Sequence, residues 1–355
     1  MDVETRVAAD AVRRYVTDAG QRGGVPASQL EMFVSSFIEA DLRGVETHGI
    51  ARIPAYVRAF LRGIVNPSPA VRVLHDSGAA LHVDGDNGLG MVVGQIAMDR
   101  ATDSARKFGV GVVSVRNSNH SGMLAVHVLR AVGQGMVGFF ASGGVAIMAP
   151  TGGADPVLGN GPFAWGIPRP GKFPVVVDMA SSTVARGKIR VLAAEGRPIP
   201  EGWAVDADGR PTIDAKAAME GVVLPMAGHK GYGIALAVEI LSSVLSGSNL
   251  AVDAPREFLR DGATVLDAWG IGHFAMALDL GAFAGSSAFQ ETLERLLLSV
   301  TESRRSPDVA RILLPGQLEW ERRTERLELG IPVSSRVLSA LDAFADEVEI
   351  SRIDR

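Results

Sequence analysis

The sequence contains no cysteine among its 355 residues. This absence excludes disulfides, thiolate nucleophiles, iron–sulfur ligation and zinc sites built on cysteine. It is compatible with a reducing compartment, and we expect a cytoplasmic protein. Because the chain has no thiol chemistry of its own, redox catalysis here requires a borrowed cofactor.

The sequence also lacks a basic cluster and an apolar run of membrane length. There are 35 Lys and Arg against 40 Asp and Glu, a formal net charge of −5, whereas nucleic-acid binders normally carry a basic stripe. The longest apolar stretch, residues 231–247, contains Glu239 and is shorter than the ~20 residues that cross a bilayer. We therefore expect neither nucleic acid nor a membrane as a partner, and we predict a buried helix over residues 231–247.

The common site signatures are broken or missing. Gly88 to Gly94 has one residue too many before the third glycine of the dinucleotide fingerprint G-x-G-x-x-G, and we interpret it as a tight helix start. Gly187-Lys188 lacks the upstream glycine and the following Ser or Thr of a P-loop. No G-x-S-x-G elbow and no H-E-x-x-H helix occurs. Common hydrolase and zinc-protease functions therefore have little support.

Hydrophobic periodicity predicts a mixed α/β body whose two ends are helical. The length is typical of two or three domains, or of one large domain with inserted segments. Helices are predicted at 3–17, 28–42, 90–107, 121–134, 286–302 and 334–346, and strands at 71–74, 80–83, 110–115 and 175–177. A capping box from Ser28 to Glu31 predicts the second helix start. Residues 194–212 predict a long surface loop with a turn at Asp208-Gly209, and the two chain ends are expected to pack together.

The segment from Asp41 to Tyr56 carries the strongest catalytic pattern. His48, Arg52 and Tyr56 follow at four-residue steps and would share one helix face, although Pro54 predicts a break or a fresh helix start just before it. An imidazole beside a guanidinium suits reduction of a 2-oxo acid. Arg52 can hold the carboxylate in a bidentate fork while His48 donates a proton to the ketone oxygen. The alternative is that Arg52 merely pairs with Glu46 or Asp41 at the surface.

Three further segments could line a ligand site. His120, in the loop after a strand, could orient a substrate, act as a second acid or base, or only bridge polar groups. Asp178 ends a strand beside hydroxyl residues, which suits ribose or phosphate, although a helix N-cap would look the same. The glycine-rich segment 228–233 offers free amides and a cation to an anionic diphosphate.

Taken in order, these segments resemble the signature segments of the malate/L-lactate dehydrogenase family of NAD(P)-dependent 2-oxo acid reductases. This family is unrelated to the Rossmann lactate dehydrogenases and includes ureidoglycolate, sulfolactate, diketogulonate and piperideine-2-carboxylate enzymes. The likeness covers essentially the whole chain. Its ordered blocks are LRGVETHGIARIPAY, NSNHSG, GNGPFAWGIP, VVVDMASSTVARGKI, EGWAVDADGRPT, GHKGYGIALAVEILSSVLSG, GHFAMALD and LLPGQLEWERR.

The resemblance implies a non-Rossmann NAD(P)-binding α/β fold, with a largely antiparallel mixed sheet and a helical domain built from both chain ends. It also implies a homodimer with the site near the subunit interface. We expect residues 1–75 with 305–355 to form the helical substrate and dimerisation domain, and residues 76–304 the cofactor-binding sheet domain, with room for subdivision. The implied cofactor is NAD or NADP, with NAD slightly favoured.

The resemblance also assigns residues by motif. The implied roles are catalytic for His48 and His120; substrate-binding for Thr47, Arg52, Tyr56 and Asn160; and cofactor-binding for Asp178, Met179, Ala180, Ser181, His229, Lys230, Pro315, Gly316 and Gln317. No metal ligand is implied. Thr47 stands where Ser is usual, Asn160 where many relatives have Thr, and Gln317 where an acidic residue is usual.

The expected reaction is reversible hydride transfer between a nicotinamide and a small 2-hydroxy/2-oxo acid of malate, lactate, ureidoglycolate or sugar-acid type. A cyclic imino acid such as piperideine-2-carboxylate is an alternative substrate. Two other classes of function stay open. One is a metal-dependent lyase or hydrolase using His48, His120 and Asp178, and the other is a silent ligand-binding relative, suggested by Asn160 and Gln317.

Overall fold

The structure is a computed structural model that describes residues 4–253 and 270–355. The helices are α1 Ala9–Arg22, α2 Ala27–Leu42, α3 Ile53–Leu61, α4 Gly90–Phe108, α5 Ala125–Val132, α6 Arg186–Ala194, α7 Ala215–Glu220, α8 His229–Glu239, α9 Ser286–Thr301, α10 Gln317–Leu329 and α11 Ser335–Val348. The strands are β1 Glu4–Val7, β2 Arg72–Asp76, β3 Ala80–Gly88, β4 Val110–Ser118, β5 Val137–Ser142, β6 Phe163–Ile167, β7 Val175–Met179, β8 Ala204–Val205, β9 Pro211–Thr212, β10 Val222–Val223, β11 Ile271–Leu278 and β12 Ile331–Ser334.

A seven-stranded sheet forms the centre of the molecule, in the order β2-β3-β4-β11-β5-β6-β7. Among the described strands of this sheet only β3 and β4 pair in parallel, and the other neighbours pair antiparallel. A Rossmann sheet is mostly parallel and keeps its phosphate loop in the first βα turn. The expected non-Rossmann, largely antiparallel mixed sheet is therefore confirmed. Gly90 begins α4, so the Gly88–Gly94 segment is a helix start as predicted.

The two chain ends pack into one helical unit beside the sheet. Strand β1 pairs antiparallel with β12, from Glu4 opposite Ser334 to Val7 opposite Ile331. One buried apolar cluster joins side chains of α1, α2, α3 and α11. The hydroxyl of Tyr15 in α1 donates to the Leu341 carbonyl in α11 at 2.9 Å. The predicted association of the ends is confirmed, while the domain boundaries stay a prediction.

Three helix limits differ from the predictions. Residues 4–7 are strand β1 rather than part of a helix over 3–17, because they pair with β12. The capping box is wrong: α2 begins at Ala27, straight after the extended residue Pro26, and no side chain caps it. Helix α5 covers only 125–132 of the predicted 121–134, because Ser121 and Gly122 lie in the loop after β4.

The apolar stretch over residues 231–247 is only half buried. It forms α8 and a following π-helical turn. Val238 of α8 is buried, as are Ser242 and Ser243 of the turn. The opposite side exposes apolar side chains, namely Leu236, Ile240, Val244 and Leu245. The prediction of a buried helix is therefore wrong for this face, since hydrophobicity alone does not say which face has a partner. Among the described residues, no helix has the length and apolar character needed to cross a membrane.

The predicted loop over residues 194–212 contains a small hairpin. Strands β8 and β9 pair antiparallel on either side of the turn at Asp208-Gly209. Gly209 has φ 78°, a left-handed value that favours glycine. Asp206 accepts hydrogen bonds from the backbone amides of Asp208 and Arg210. The predicted turn is confirmed, and strand β10 extends this hairpin into a small three-stranded sheet.

Candidate active site

The segment that carries the predicted catalytic residues is not one helix. Two single 3-10 turns, Glu46–His48 and Ile50–Arg52, precede α3. Helix α3 begins at Ile53 with Pro54 in its first turn, where a missing amide hydrogen is tolerated. The fresh helix start predicted from Pro54 is confirmed. The common helix face proposed for His48, Arg52 and Tyr56 is therefore wrong, yet the chain still brings them together.

Five predicted residues meet in one group, which we call the histidine cluster: Thr47, His48, Arg52, Tyr56 and His120. The Thr47 hydroxyl lies 2.9 Å from His48 Nδ1, and Arg52 Nε donates to the Thr47 carbonyl at 2.9 Å. The His48 and His120 rings stack with centroids 5.5 Å apart. The Tyr56 hydroxyl lies 2.7 Å from His120 Nδ1, across 64 positions of sequence. The tertiary structure thus brings the segment from Asp41 to Tyr56 into contact with the loop that contains His120.

Arg52 is not neutralised by an acidic neighbour. Within residues 4–253 and 270–355 it forms no ion pair, and Glu46 pairs instead with Arg326 of α10 at 2.7 Å. Since Nε is held by the Thr47 carbonyl, the terminal nitrogens of the guanidinium remain for an anion. The alternative of a surface pair with Glu46 or Asp41 is therefore not what the structure contains.

The hydrogen bonds of His120 define its tautomer. The Gly122 backbone amide donates to His120 Nδ1 at 3.3 Å, and a backbone amide can only donate. Nδ1 must therefore carry a lone pair, and the Tyr56 hydroxyl donates to the same atom. The neutral ring consequently has its hydrogen on Nε2. Nε2 is therefore the atom of His120 that can donate a hydrogen bond.

Burial displaces the pKa values of the histidine cluster. It lowers the pKa of His48 to about 4, with the Arg52 charge as a second cause. The pKa of His120 lies well below its ordinary value, again mainly because of burial. Burial raises the pKa of Tyr56 to about 12. At neutral pH both imidazoles are therefore uncharged and Tyr56 is protonated.

His48 faces a cavity of about 680 Å³, a volume in the ~300–1,000 Å³ range usual for ligand sites. The predicted residues that line it are His48, Asn160, Asp178, Met179, Ala180, Pro315 and Gly316. Residues that the sequence analysis did not assign include Arg43, Val45, Gly122, Met123, Leu124, Ala125, Leu314, Leu318 and Glu319. We call the part formed by residues 176–180 and 313–319 the cofactor wall.

Asp178 lies within β7 and serves the fold as well as the cavity. Its Oδ2 accepts a hydrogen bond from the Ala125 amide, in the first turn of α5, at 2.7 Å. Burial raises the pKa of this carboxyl to about 6, although the amides of Ala125 and Leu124 act in the opposite direction. The predicted ligand role and the alternative role at a helix N-terminus are therefore compatible in one residue.

The chemistry of the cavity fits part of a dinucleotide. Asp178 and Glu319 bring carboxyl oxygens, the acceptors that ribose hydroxyls require, and Asn160 brings an amide. Arg43 brings a cation whose side chain is 5% exposed. The other lining residues are largely apolar, as is usual in ligand sites. These groups can hold the sugar and phosphate portions of a nucleotide while the apolar surface packs against its rings.

Several predicted cofactor residues do not line this cavity. Ser181 is fully buried, and its hydroxyl donates to the Gly161 carbonyl at 2.8 Å. His229 and Lys230 are exposed in the first turn of α8. The Gln317 side chain accepts from the Leu314 amide at 3.1 Å and donates to Glu321 at 3.0 Å. Gln317, which stands where an acidic residue is usual in the family, therefore stabilises the loop before α10.

Arg43 is the clearest residue that sequence reasoning missed. Its Nε donates to Glu39, one turn earlier in α2, at 3.0 Å, and its guanidinium lies 6.0 Å from the Trp320 ring. Arg43 stands inside the block LRGVETHG, and its i,i+4 spacing from Glu39 was visible in the sequence. The signal existed, but nothing in it showed that the side chain borders a cavity.

Metal coordination receives no support from the side-chain arrangement. In the part of the chain that the structure describes, no group of three or more His, Asp or Glu side chains is placed to hold a metal ion. His48, His120 and Asp178, which the metal-dependent alternative requires, are not arranged as such a group.

Comparison with known proteins identifies the family of this chain. The family described as malate/L-lactate dehydrogenase matches residues 7–342. The chain belongs to this family. A malate dehydrogenase of Pyrococcus abyssi is 34% identical over 98% of this chain and 96% of its own length. The solved sulfolactate dehydrogenase of Methanocaldococcus jannaschii has a TM-score of 0.90 at 33% identity, covering 98% of each chain.

A further solved structure of similar fold has the name of a reductase. The solved delta1-piperideine-2-carboxylate reductase of Pseudomonas syringae pvar. tomato has a TM-score of 0.83 at 28% identity. The match covers 96% of this chain and 100% of the reductase chain. A relative from Chromohalobacter salexigens, 34% identical over 91% of this chain and 92% of its own length, is named (2R)-3-sulfolactate dehydrogenase (NADP(+)). The predicted family, fold and oxidoreductase class, and the nicotinamide cofactor class, are therefore confirmed.

Proposed function

We propose that the protein catalyses reversible hydride transfer between NAD or NADP and a small 2-hydroxy/2-oxo acid. The observation that carries this proposal is the histidine cluster. In it a guanidinium that has no ion pair among the described residues meets two neutral imidazoles, and His48 lies on the wall of the 680 Å³ cavity. When bound, the nicotinamide supplies the acceptor or donor of the hydride. Residues of the protein bind and orient the substrate and transfer the proton.

Arg52 serves as the carboxylate anchor. Its planar guanidinium can hold a carboxylate by two parallel N–H···O bonds, and this grip orients the α-carbon. Tyr56 is buried and holds His120 through its hydroxyl. Asn160 lies on the cavity wall, where its amide can bond a second polar group of the substrate. The substrate's identity beyond the 2-hydroxy/2-oxo acid class depends on such contacts.

His48 serves as the proton acceptor for the hydroxy acid and the donor for the oxo acid. In the oxidation direction its neutral ring accepts the hydroxyl proton while the α-carbon loses its hydride, which leaves the ketone. Thr47 can hold Nδ1–H of His48, so that Nε2 keeps its lone pair. His120 donates Nε2–H to the same substrate oxygen. A carboxylate paired with Arg52 offsets the guanidinium charge that lowers the pKa of His48, so protonation becomes easier in the complex.

A spectrophotometric screen at about 340 nm tests this function, since reduced nicotinamides lose their absorbance there when they transfer a hydride. NADH and NADPH are each combined with pyruvate, oxaloacetate, 2-oxo sugar acids and sulfopyruvate. We expect turnover of at least one oxo acid with one cofactor. Nicotinamide binding without turnover across the whole panel would favour the silent ligand-binding relative. Stoichiometric metal, together with cofactor-independent activity, would favour the metal-dependent class.

A cyclic imino acid is the second candidate substrate, and the similarity to the piperideine-2-carboxylate reductase favours it. Such a substrate keeps the carboxylate for Arg52 and replaces the ketone oxygen by an imine nitrogen. A C=N bond also accepts a hydride and a proton, so the same residues can serve. Including cyclic imino acids in the screen separates the two candidates by their kcat/KM values.

We also propose a cytoplasmic homodimer. The cysteine-free composition favours the compartment, and the exposed apolar side chains of Leu236, Ile240, Val244 and Leu245 support a second copy as partner. Light scattering on the purified protein tests the dimer. A monomer at micromolar concentration would contradict it.

A further inference from the structure

Asp41 is a buried carboxylate that the reaction does not use. It lies in the last turn of α2, is 3% exposed, and faces the junction between the two 3-10 turns. Its Oδ2 accepts a hydrogen bond from the Ile50 backbone amide at 2.8 Å. His48 and Arg52 each lie two residues from Ile50. A single carboxylate therefore holds the backbone midway between the two side chains on which the proposed chemistry depends.

Gly49 is a glycine because of Asp41 and not because of its backbone conformation. Its φ of −87° is available to any residue. A Cβ at this position would lie 1.7 Å from Asp41 Oδ1, well inside the contact distance of real atoms. The carboxyl occupies the space that a side chain at position 49 would need. Both oxygens of Asp41 are thus in contact with the peptide that joins the two turns.

We propose that Asp41 is a positioning residue for the reaction. Its carboxyl holds the Gly49-Ile50 peptide, so that His48 and Arg52 keep their relative placement. This proposal rests on the proposed function of the histidine cluster. Helix α10 adds a second attachment, because Arg326 donates to the Asp41 carbonyl and pairs with Glu46 at 2.7 Å. The carbonyl and the carboxyl of one residue thereby connect α2, α10 and the segment 46–52.

The protonation of Asp41 does not make this contact a pH switch. Burial raises the pKa of the carboxyl to about 7, with Glu46 acting in the same direction and the Ile50 amide and Arg326 in the opposite one. A neutral carboxyl still has an oxygen that can accept from the Ile50 amide. The hydrogen bond is therefore available in both states. Asn can supply the same acceptor oxygen in nearly the same shape, whereas Ala cannot.

The first test compares Asp41→Ala with Asp41→Asn. We expect Asp41→Ala to lower kcat/KM for the oxo acid by about 10- to 100-fold, since small misplacements of reacting groups are costly. The KM for the cofactor should stay within about twofold, because the cofactor wall is untouched. Amide exchange in the segment 46–52 should rise by roughly tenfold, the effect of one lost hydrogen bond. Asp41→Asn should keep kcat/KM for the oxo acid and the amide exchange of the segment 46–52 close to their parent values.

The second test uses the contact between Asp41 and Gly49. Gly49→Ala should lower kcat/KM by at least about tenfold because its Cβ displaces the segment. In the Asp41→Ala background the space is free, so adding Gly49→Ala should change kcat/KM by less than about threefold. An equal penalty for Gly49→Ala in both backgrounds would overturn the proposal.

Glu239→Ala is the matched control. Glu239 is also a buried carboxylate, 8% exposed, and it accepts one backbone amide, that of Ala251, at 2.7 Å. It lies outside the segment 46–52 and should lower Tm without raising exchange there. The proposal fails if Glu239→Ala reproduces the kinetics of Asp41→Ala, or if Asp41→Ala raises exchange without changing kcat/KM.

Failure of the proposed function is distinguishable from failure of this proposal. If the parent protein turns over no oxo or imino acid, the proposed function is wrong, and amide exchange of the segment 46–52 then decides the role of Asp41. Unchanged exchange in Asp41→Ala overturns the hold of Asp41 on the segment 46–52, whereas faster exchange supports this hold and leaves the error in the proposed function alone.

Discussion

The histidine cluster and the cofactor wall are built on different principles. In the cluster, side chains bond to one another: Tyr56 to His120, Thr47 to His48, and the two imidazoles by stacking. Along the cofactor wall two polar side chains accept from backbone amides, Asp178 from that of Ala125 and Gln317 from that of Leu314. The cluster therefore depends on residue identity, and the wall depends more on shape. Substitutions should consequently damage turnover in the first region and mainly cofactor affinity in the second.

The largest expected effect is that of His48→Ala. Removing the proton acceptor should lower kcat by roughly 10²–10⁴-fold, the usual contribution of general acid–base catalysis. Steady-state kinetics in both directions measure it. His75→Ala, which removes an exposed histidine in β2 outside the site, is the control and should leave kcat unchanged. A kcat for His48→Ala within about twofold of the parent would remove His48 from the chemistry.

Arg52→Lys should raise the KM for the oxo acid by about 10- to 100-fold, because an ammonium cannot reproduce the planar fork. The KM for the cofactor should stay unchanged, which separates the cluster from the wall. Arg62→Lys, at an exposed arginine just after α3, is the control. Equal KM values for parent and Arg52→Lys would mean that the carboxylate binds elsewhere.

The pH dependence of kcat/KM sharpens the same comparison. Burial and Arg52 lower the pKa of His48 to about 4, so the free enzyme keeps its base neutral at any pH well above that value. We expect kcat/KM for oxidation to stay level between neutrality and about pH 5, then fall about tenfold per unit below the pKa. In Arg52→Gln the fall should begin at higher pH, since one cause of the low pKa is gone. If kcat/KM of the parent enzyme instead begins to fall near the ordinary histidine pKa of ~6.5, His48 is not the group with the lowered pKa that controls the reaction.

The smallest expected effect is that of Asp178→Asn on the cofactor wall. The amide oxygen of Asn can still accept from the Ala125 amide, so the fold should be kept. Loss of the carboxylate should raise the KM for the cofactor by about 3- to 10-fold, the effect of one hydrogen bond to a hydroxyl, with kcat nearly unchanged. Initial rates at varied NAD and NADP measure it. A large loss of kcat with unchanged KM would place Asp178 in the chemistry instead.

Local sequence patterns predicted the structure correctly where one signal dominates. Pro54 predicted the start of α3, because proline cannot donate a backbone hydrogen bond inside a helix. Asp208-Gly209 predicted a turn, because glycine accepts a left-handed conformation. Local signals misled where distant partners intervene: residues 4–7 became a strand because β12 pairs with them. The capping box at Ser28 was not used because α2 had already begun after Pro26.

The sequence by itself determined the family through its ordered motifs, and the resemblance to that family implied the sheet class and the residues proposed for the chemistry. Only the tertiary structure decided how those residues are placed. It placed His120 against His48 and Tyr56 and left Arg52 without a carboxylate among the described residues. It also put Arg43 on the cavity wall, and not His229 or Lys230. Burial, charge and hydrogen-bond direction depend on contacts between distant segments, which no local pattern contains.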